Sequence, residues 1–302
     1  MSSYQTAQTN MSMQDVLQAV EKELSQAELY YGHGTDNPAD EAFALVFQTL
    51  DLNFDEIDSV LDKRLSDQEA QQINDIMSQR IETRQPLPYL LQQAYFFGLP
   101  FYVDKRVIIP RSSIGELIEE QFHPWVTQPD EVRRVLDLCT GSGALAISCA
   151  YAFETAGIYA TDIDKDALDV AKKNVDKHQL QEQVTLVESD LFDNVPQQTY
   201  DLIVTNPPYV GHHELDELPQ EYRYEPRQAL FADEQGLSLA KAILQQARHY
   251  LSRDGLLVME VGQNADLLGE AYPQVPFIWL SFEDSEGGVC LLTAQQLKES
   301  GF

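Results

Sequence analysis

Residues 135–143 read VLDLCTGSG, an apolar run that passes directly into a glycine turn. The next ten residues, 144–153, are nearly all apolar and long enough to form a helix. Ligands of open parallel sheets bind outside the carboxyl ends of the strands, at turns of this kind. Gly141 and Gly143 allow the backbone to turn tightly and to approach a ligand closely. The stretch therefore predicts the first strand, binding turn and helix of an α/β domain.

The same pattern continues to the C-terminus. Short apolar runs occupy 135–138, 158–160, 184–187, 202–204, 256–261, 277–280 and 289–292. Helical stretches lie between most of them, at 144–153, 165–178, 237–251 and 264–272. This alternation predicts a mostly parallel sheet covered by helices on both faces. Glu286-Gly287-Gly288, between the last two runs, predicts a hairpin and an antiparallel edge strand.

The first 85 residues show helical patterns and no catalytic constellation. Pro38 is placed to start one helix, and Ser66-Asp67-Gln68-Glu69 is a capping-box pattern that opens another. Residues 95–103 hold two aromatic runs around a Gly-Leu-Pro turn, which predicts a β-hairpin. We therefore expect a helical packing or docking domain at 1–92, a hairpin linker at 93–111 and a catalytic domain at 112–302.

The chain is strongly acidic, with 49 acidic and 20 basic residues and a net charge of -29. Residues 1–105 hold 17 acidic and 6 basic side chains, and residues 106–302 hold 32 and 14. DNA-binding proteins neutralise phosphates with lysine and arginine. The charge therefore argues against a nucleic-acid partner and favours a basic protein. Solubility or a salt-tolerant host would explain the same acidity.

We expect a cytoplasmic protein. The longest nearly apolar stretch, 144–153, is shorter than the roughly 20 residues that span a bilayer. The first ten residues lack the basic start and apolar core of a signal peptide. Cys139, Cys149 and Cys290 are scattered, which is typical of reduced thiols, and their spacing predicts no metal site.

Acidic residues follow each of the first three predicted strands. Asp137 stands within a strand end, where a carboxylate disfavours a polyphosphate and suits a cation such as the ammonium or sulfonium of S-adenosylmethionine. Asp162 is placed to accept ribose hydroxyls, which does not distinguish S-adenosylmethionine from NAD. Asp164 is placed to cap the next helix. Asp190 is placed to accept the adenine amino group, and Leu191 to pack on the ring.

The most specific motif is Asn206-Pro207-Pro208-Tyr209, after the fourth strand. It suits an amide nitrogen, whose lone pair is delocalised into its carbonyl. The Asn206 side-chain carbonyl and the Pro207 main-chain carbonyl would accept the two N–H groups, orient the nitrogen and stabilise its growing charge. Tyr209 would supply a flat wall. The alternative is a rigid Pro-Pro loop capped by asparagine.

The segment after this motif has two further features. His212 and His213 lack a third ligand at metal spacing, so we expect no metal there. Residues 212–237 contain seven acidic side chains and two basic ones, which suits either a basic protein substrate or a solvated connection. The acidic residues are Glu214, Asp216, Glu217, Glu221, Glu225, Asp233 and Glu234. We identify no general base.

These motifs resemble those of the glutamine N(5)-methyltransferase (HemK) family. The resemblance rests on residues 137–143, the Asn-Pro-Pro-Tyr motif and Glu225-Pro226-Arg227-Gln228-Ala229-Leu230, and it covers about 86–295. It implies a seven-stranded class I (Rossmann-like) methyltransferase sheet with an N-terminal helical domain that helps to hold the protein substrate. S-adenosylmethionine is the implied cofactor. Thr140, Ile163 and Asn206 are expected to contact it in addition to the residues named above.

The linker resembles one branch of that family more than the other. The release-factor branch typically reads Ile-Pro-Arg-Pro-Glu-Thr-Glu, whereas residues 109–118 read IPRSSIGELI. This is similar to the branch that methylates a glutamine of ribosomal protein L-three of the large subunit, a basic substrate. Ser113 stands where proline is expected, and Gln92 where glycine is usual.

Several alternatives remain at this point. The first alternative is methylation of the glutamine in the Gly-Gly-Gln loop of peptide-chain release factors. A DNA adenine or cytosine amino-methyltransferase would use the motif on a flipped base, but would be expected to have a basic cleft. A binding module without activity and an NAD-dependent oxidoreductase are weaker, because the motif residues are intact and no hydride-transfer constellation is present.

Overall fold

The computed structural model describes residues 5–282 and 287–302, so Glu286 of the predicted hairpin lies outside the described residues. The chain divides into two compact units. The first contains the described residues up to Ala94 together with Pro219–Tyr224, and the second contains Tyr95–Leu218 and Glu225–Phe302. The residues of the predicted linker from Tyr95 onward belong to the second unit and do not form a unit of their own.

The first unit is helical. Its helices are α1 (Met13–Gln26), α2 (Pro38–Thr49), α3 (Ile57–Val60), α4 (Asp67–Thr83) and α5 (Leu87–Leu91). The predicted capping box is present, since the Ser66 hydroxyl accepts the Glu69 N–H and the Glu69 side chain accepts the Ser66 N–H. Pro38 is the first residue of α2, as its fixed φ favours. Apolar side chains from α1, α2 and α4 form one buried core.

A buried ion-pair network connects α2, α4 and the inserted segment of this unit. Arg80 is 1% exposed, and its Nε donates to Glu41 Oε1 at 2.6 Å. Glu221, which is fully buried, pairs with Arg84 at 2.7 Å and accepts the Tyr30 N–H at 3.0 Å. The segment Pro219–Tyr224 is therefore attached to the helical unit by a charged side chain inside it.

The second unit contains a two-stranded sheet and a seven-stranded sheet. The first is formed by β1 (Ala94–Phe96) and β2 (Leu99–Phe101). The second has the order β5-β4-β3-β6-β7-β9-β8. Its strands are β3 (Arg134–Leu138), β4 (Gly157–Asp162), β5 (Val184–Glu188), β6 (Tyr200–Thr205), β7 (Leu251–Glu260), β8 (Ile278–Leu280) and β9 (Val289–Thr293).

The pairing of these strands confirms the predicted α/β sheet. β3 to β7 pair in parallel, whereas β9 is antiparallel to both β7 and β8. The helices of this unit are α6 (Ile114–Glu119), α7 (Ala144–Ala152), α8 (Lys165–Lys177), α9 (His212–Leu215), α10 (Arg227–Leu230), α11 (Ser238–Tyr250), α12 (Ala265–Ala271) and α13 (Ala294–Glu299). β7 starts five residues before the predicted apolar run.

Candidate active site

Strand register brings four loops together at one edge of the sheet. Leu138 of β3 pairs with Thr161 of β4 on one side and with Thr205 of β6 on the other. Asp162 at the end of β4 pairs with Glu188 at the end of β5. Since the strands are parallel, their carboxyl ends meet at this edge. The order reverses between β4 and β6 around β3, which is the switch point where ligands of open α/β sheets bind.

The glycine turn after β3 requires unusual backbone angles. Cys139, Gly141 and Gly143 have φ values of 59°, 55° and 83°, in the left-handed region that favours glycine. Gly143 immediately precedes α7, and a Cβ there would lie 3.4 Å from the Ala171 side chain. The two glycines therefore permit the left-handed backbone conformation of the turn.

Asp137 lies beneath this turn and is completely buried. Its Oδ2 accepts the Thr140 hydroxyl at 2.5 Å and the Ala146 N–H at 3.1 Å. Within the described part of the chain, its Oδ1 is buried and has no hydrogen-bond partner. Burial raises the pKa of Asp137 to about 7, although the two hydrogen bonds oppose the shift. An uncompensated oxygen of this kind favours a cationic ligand.

The ends of β4 and β5 carry the other predicted carboxylates. Asp162 accepts the Gly141 N–H at 2.9 Å and the Asp164 N–H at 2.9 Å, and burial raises its pKa. Asp164 caps α8 as predicted, since its side chain accepts the Asp166 N–H. Asp190 is exposed at its loop. Asp162 thus also fixes the glycine turn.

Tyr209, the last residue of the Asn-Pro-Pro-Tyr motif, is held at three points. Asn264 Nδ2 donates to its main-chain oxygen at 2.6 Å, and its hydroxyl donates to Glu260 Oε1 at 3.5 Å. A Cβ at Gly262 would lie 2.6 Å from its ring, and one at Gly236 would lie 2.0 Å from its main-chain oxygen. The close fit explains glycine at both positions.

One cavity of about 330 Å³ joins these loops. Its wall includes predicted site residues from all four strand ends, namely Gly141, Asp162, Ile163, Asp190, Leu191, Asn206 and Pro208. Asp137, Thr140, Gly143, Pro207 and Tyr209 are not part of that wall. Thr140 directs its hydroxyl to Asp137, and Pro207 is buried. The structure thus brings seven predicted residues together in the cavity wall. Thr140 and Asp137 contact each other outside that wall.

The cavity also has walls that the sequence motifs did not predict as cofactor contacts. Residues 106–108 and Gln228 line it. The segment leading on from 106–108 is fixed by Glu225, which accepts the Ile109 N–H at 3.0 Å and pairs with Arg111 at 2.5 Å. The sequence signal for this part of the wall was Glu225 in the Glu-Pro-Arg motif, because a buried carboxylate requires a nearby cation. That cation is Arg111.

Not all seven acidic side chains of residues 212–237 are exposed to solvent. Glu221 and Glu225 are buried and paired with arginines. The other five acidic residues are exposed, namely Glu214, Asp216, Glu217, Asp233 and Glu234. Of these five, Asp233 lines the cavity and Glu234 pairs with Lys241 at 2.8 Å.

Two other kinds of feature are absent from residues 5–282 and 287–302. No group of three or more His, Cys, Asp or Glu side chains is arranged to hold a metal ion. No helix in the same ranges has the length and hydropathy needed to cross a membrane.

Comparison with known proteins identifies close relatives. A family model described as "Methyltransferase small domain" matches residues 124–222. The ribosomal protein uL3 glutamine methyltransferase of Francisella tularensis is 47% identical over 275 residues, covering 91% of this chain and 88% of that protein. The protein of the same name from Bordetella pertussis is 43% identical over 286 residues, covering 95% and 96%.

Solved structures share the fold at low sequence identity. The hMettl16 catalytic domain in complex with MAT2A 3′UTR hairpin 1 is 18% identical, with a TM-score of 0.52, over 83% of this chain and 91% of that chain. The same domain in complex with hairpin 6 is 17% identical, with a TM-score of 0.51, over 76% of this chain and 82% of that chain. These likenesses support a class I Rossmann-like methyltransferase fold.

Proposed function

This chain belongs to the family of ribosomal protein uL3 glutamine methyltransferases, and on that premise we propose that it methylates a glutamine side-chain amide of ribosomal protein uL3. The methyl donor is S-adenosylmethionine, bound in the cavity at the strand ends. The reaction site is Asn206-Pro207-Pro208-Tyr209, which follows β6 and lines that cavity through Asn206 and Pro208.

The observation that carries this proposal is the orphaned oxygen of Asp137. A buried acceptor without a partner costs roughly 1–3 kcal/mol, and a ligand group that donates to it would recover that free energy. An ammonium group that reached Asp137 from the cavity, past the neighbouring Cys139 and Gly141 of its wall, would satisfy the oxygen by a charge-assisted hydrogen bond and stabilise the ionised carboxylate. The α-ammonium of S-adenosylmethionine is such a group. Gly141 and Asp162 would hold the ribose side, and Asp190 and Leu191 the adenine, with Ile163 and Thr140 in support.

The chain's own contribution to the chemistry is orientation. S-adenosylmethionine, when bound, supplies an electrophilic methyl group on a sulfonium. Asn206 accepts one N–H of the glutamine amide through its side-chain oxygen, and Pro207 accepts the other through its main-chain oxygen. Tyr209 packs against the amide plane, and Pro208 makes the loop rigid. These contacts stabilise the positive charge that grows on the nitrogen.

The partner is a basic protein, and the reaction takes place in the cytoplasm. Ribosomal proteins are basic because they bind RNA, and five exposed carboxylates follow the reaction motif. The helical unit helps to hold the substrate. Release factors are the second candidate, since their Gly-Gly-Gln loop presents the same amide.

The test of the site is Asn206→Ala. We expect methyl transfer to fall by about 100-fold or more, because an oriented charge-stabilising contact is lost. The affinity for S-adenosylhomocysteine should change by less than about threefold, since the ammonium and nucleoside contacts remain. Asn206→Asp is the matched variant, because it retains an acceptor and should keep part of the activity. Equal loss of binding and transfer would mean that the site is misassigned.

The test of the substrate offers radiolabelled S-adenosylmethionine with purified uL3, release factor or DNA in separate reactions. We expect label on uL3, in an amide that a glutamine-to-alanine substitution removes. Label confined to release factor would select the second candidate, and label confined to DNA would overturn the assignment.

A further inference from the structure

The Glu260 carboxylate links two hydroxyl groups from separate parts of the second unit. Ser112 Oγ donates to Glu260 Oε2 at 2.5 Å, and the Tyr209 hydroxyl donates to Oε1 at 3.5 Å. Glu260 is 6% exposed and is the last residue of β7, which pairs with β6 beside the reaction motif. We infer that Glu260 is a positioning residue for methyl transfer, which holds the Tyr209 ring against the target amide and is itself held by Ser112.

The contacts around Tyr209 explain why its hydroxyl end needs a partner. Asn264 fixes its main-chain oxygen at 2.6 Å, and the absence of a side chain at Gly262 lets the ring pack closely against the backbone. These contacts restrain the base of the residue and part of its ring. At the hydroxyl end of the ring, the Glu260 carboxylate accepts the Tyr209 hydroxyl at 3.5 Å.

The two hydrogen bonds of Glu260 have different strengths. The Ser112 contact, at 2.5 Å, is short and lies within a buried pair, whereas the Tyr209 contact, at 3.5 Å, is longer than the usual range for O–H···O hydrogen bonds. Ser112 therefore fixes the carboxylate, and the carboxylate restrains Tyr209 more weakly. Because misorientation of a reacting group lowers the rate without removing binding, the effect belongs to kcat.

Glu260 also gives this arrangement a pH dependence. Burial raises its pKa to about 7, while Ser112, the Arg111 charge, Tyr209 and the Ser113 N–H oppose that shift. The ionised carboxylate accepts both hydroxyl protons. The protonated form has a proton on one oxygen, so the contact at that oxygen must exchange donor and acceptor. Ser112 Oγ already accepts the Ile114 N–H and the Tyr209 oxygen is 3.5 Å away, so either exchange disturbs the arrangement below about pH 7.

The inference rests on the proposed role of Tyr209, and a double-mutant cycle tests it. We expect Glu260→Gln to lower kcat about five- to tenfold, which matches one lost hydrogen bond, with little change in KM for S-adenosylmethionine. Ser112→Ala should act in the same direction, less strongly. In a Tyr209→Phe background, which lacks the hydroxyl, neither substitution should lower kcat further. Independent, multiplicative losses would overturn the inference.

The pH profile provides a readout that a merely structural role would not change. With both substrates saturating, kcat of the native enzyme should decline as pH falls through 7, and Glu260→Gln should lack that decline. Ser112→Ala keeps the test open if Glu260→Gln does not fold. Native activity in Asn206→Ala would refute the proposed function. A strong loss in Asn206→Ala, together with independent, multiplicative losses from Glu260→Gln and Tyr209→Phe, would refute only this inference.

Discussion

Leu138 and Thr205 are partners across the adjacent parallel strands β3 and β6, and the Thr205 hydroxyl donates to the Leu138 carbonyl at 2.9 Å. The residues that follow them, Cys139 and Asn206, therefore leave the sheet side by side and both line the cavity. The pairing sets the spacing between the glycine turn and the reaction motif, because a slip in register would displace the buried side chains on both faces of these strands.

Asp137→Asn should weaken the binding of S-adenosylhomocysteine by about tenfold or more, since the amide cannot form the charge-assisted bond to the ammonium. Thermal stability in the absence of ligand should not fall, because a buried carboxylate with an unsatisfied oxygen is costly. Isothermal titration calorimetry and thermal melts measure the two quantities. Asp176→Asn is the control, because it makes the same substitution at an exposed residue of α8 outside the cavity and should leave affinity nearly unchanged.

The stability of the ligand-free protein should rise as pH falls from 8 to 6. Burial raises the pKa values of Asp137 and Glu260 to about 7, above their ordinary values near 4. Between those limits the folded chain binds protons that the unfolded chain does not, so acidification favours folding. The rise in melting temperature should be larger for the native protein than for Asp137→Asn/Glu260→Gln. Equal rises would show that these two groups do not titrate as described.

The strand ends were predictable because short apolar runs and turn residues delimit them. The observed β3, β4 and β6 each differ from their predicted runs by at most two residues at either end, so the glycine turn and the reaction motif could be located from sequence. The predicted run starts only at 256 because Ser252, Arg253 and Asp254 are polar. The strand itself starts at Leu251, which pairs with Tyr200 before a register irregularity.

Contacts between residues distant in sequence were harder to predict. Glu221 reads as one of several acidic residues in a loop, and only the fold pairs it with Arg84 inside the helical unit. Glu260 carried a usable signal, since a carboxylate within the apolar run 256–261 requires a buried partner. The identity of that partner, Ser112, depends on tertiary structure, because 148 residues separate them.

Neutralising three exposed carboxylates after the reaction motif should weaken binding of a basic protein substrate. In Glu214→Gln/Asp216→Asn/Glu217→Gln we expect KM for uL3 to rise about three- to tenfold at low salt, because complementary charge accelerates encounter. kcat and the affinity for S-adenosylhomocysteine should be unchanged. The difference should shrink towards 0.5 M salt, roughly, where the Debye length falls to a few ångström.

A matched charge change elsewhere separates local from overall acidity. Asp266→Asn/Glu270→Gln/Glu299→Gln removes three exposed charges from α12 and α13. This variant should keep the native KM for uL3. If both triple variants raise KM equally, the net charge of -29 acts as a whole, and the segment after the motif has no specific role.

The Arg80–Glu41 pair should be critical to the helical unit, because both side chains are buried. Arg80→Met leaves the Glu41 carboxylate without its cation and should destabilise the unit by about 3–5 kcal/mol. Glu41→Gln/Arg80→Met removes both charges and should recover part of that loss. Amide hydrogen exchange measures the effect locally: α2 and α4 should lose protection in Arg80→Met, while β3 and β6 of the second unit retain it. Equal destabilisation by the single and double variants would mean that packing of the Arg80 side chain, rather than its charge, stabilises the unit.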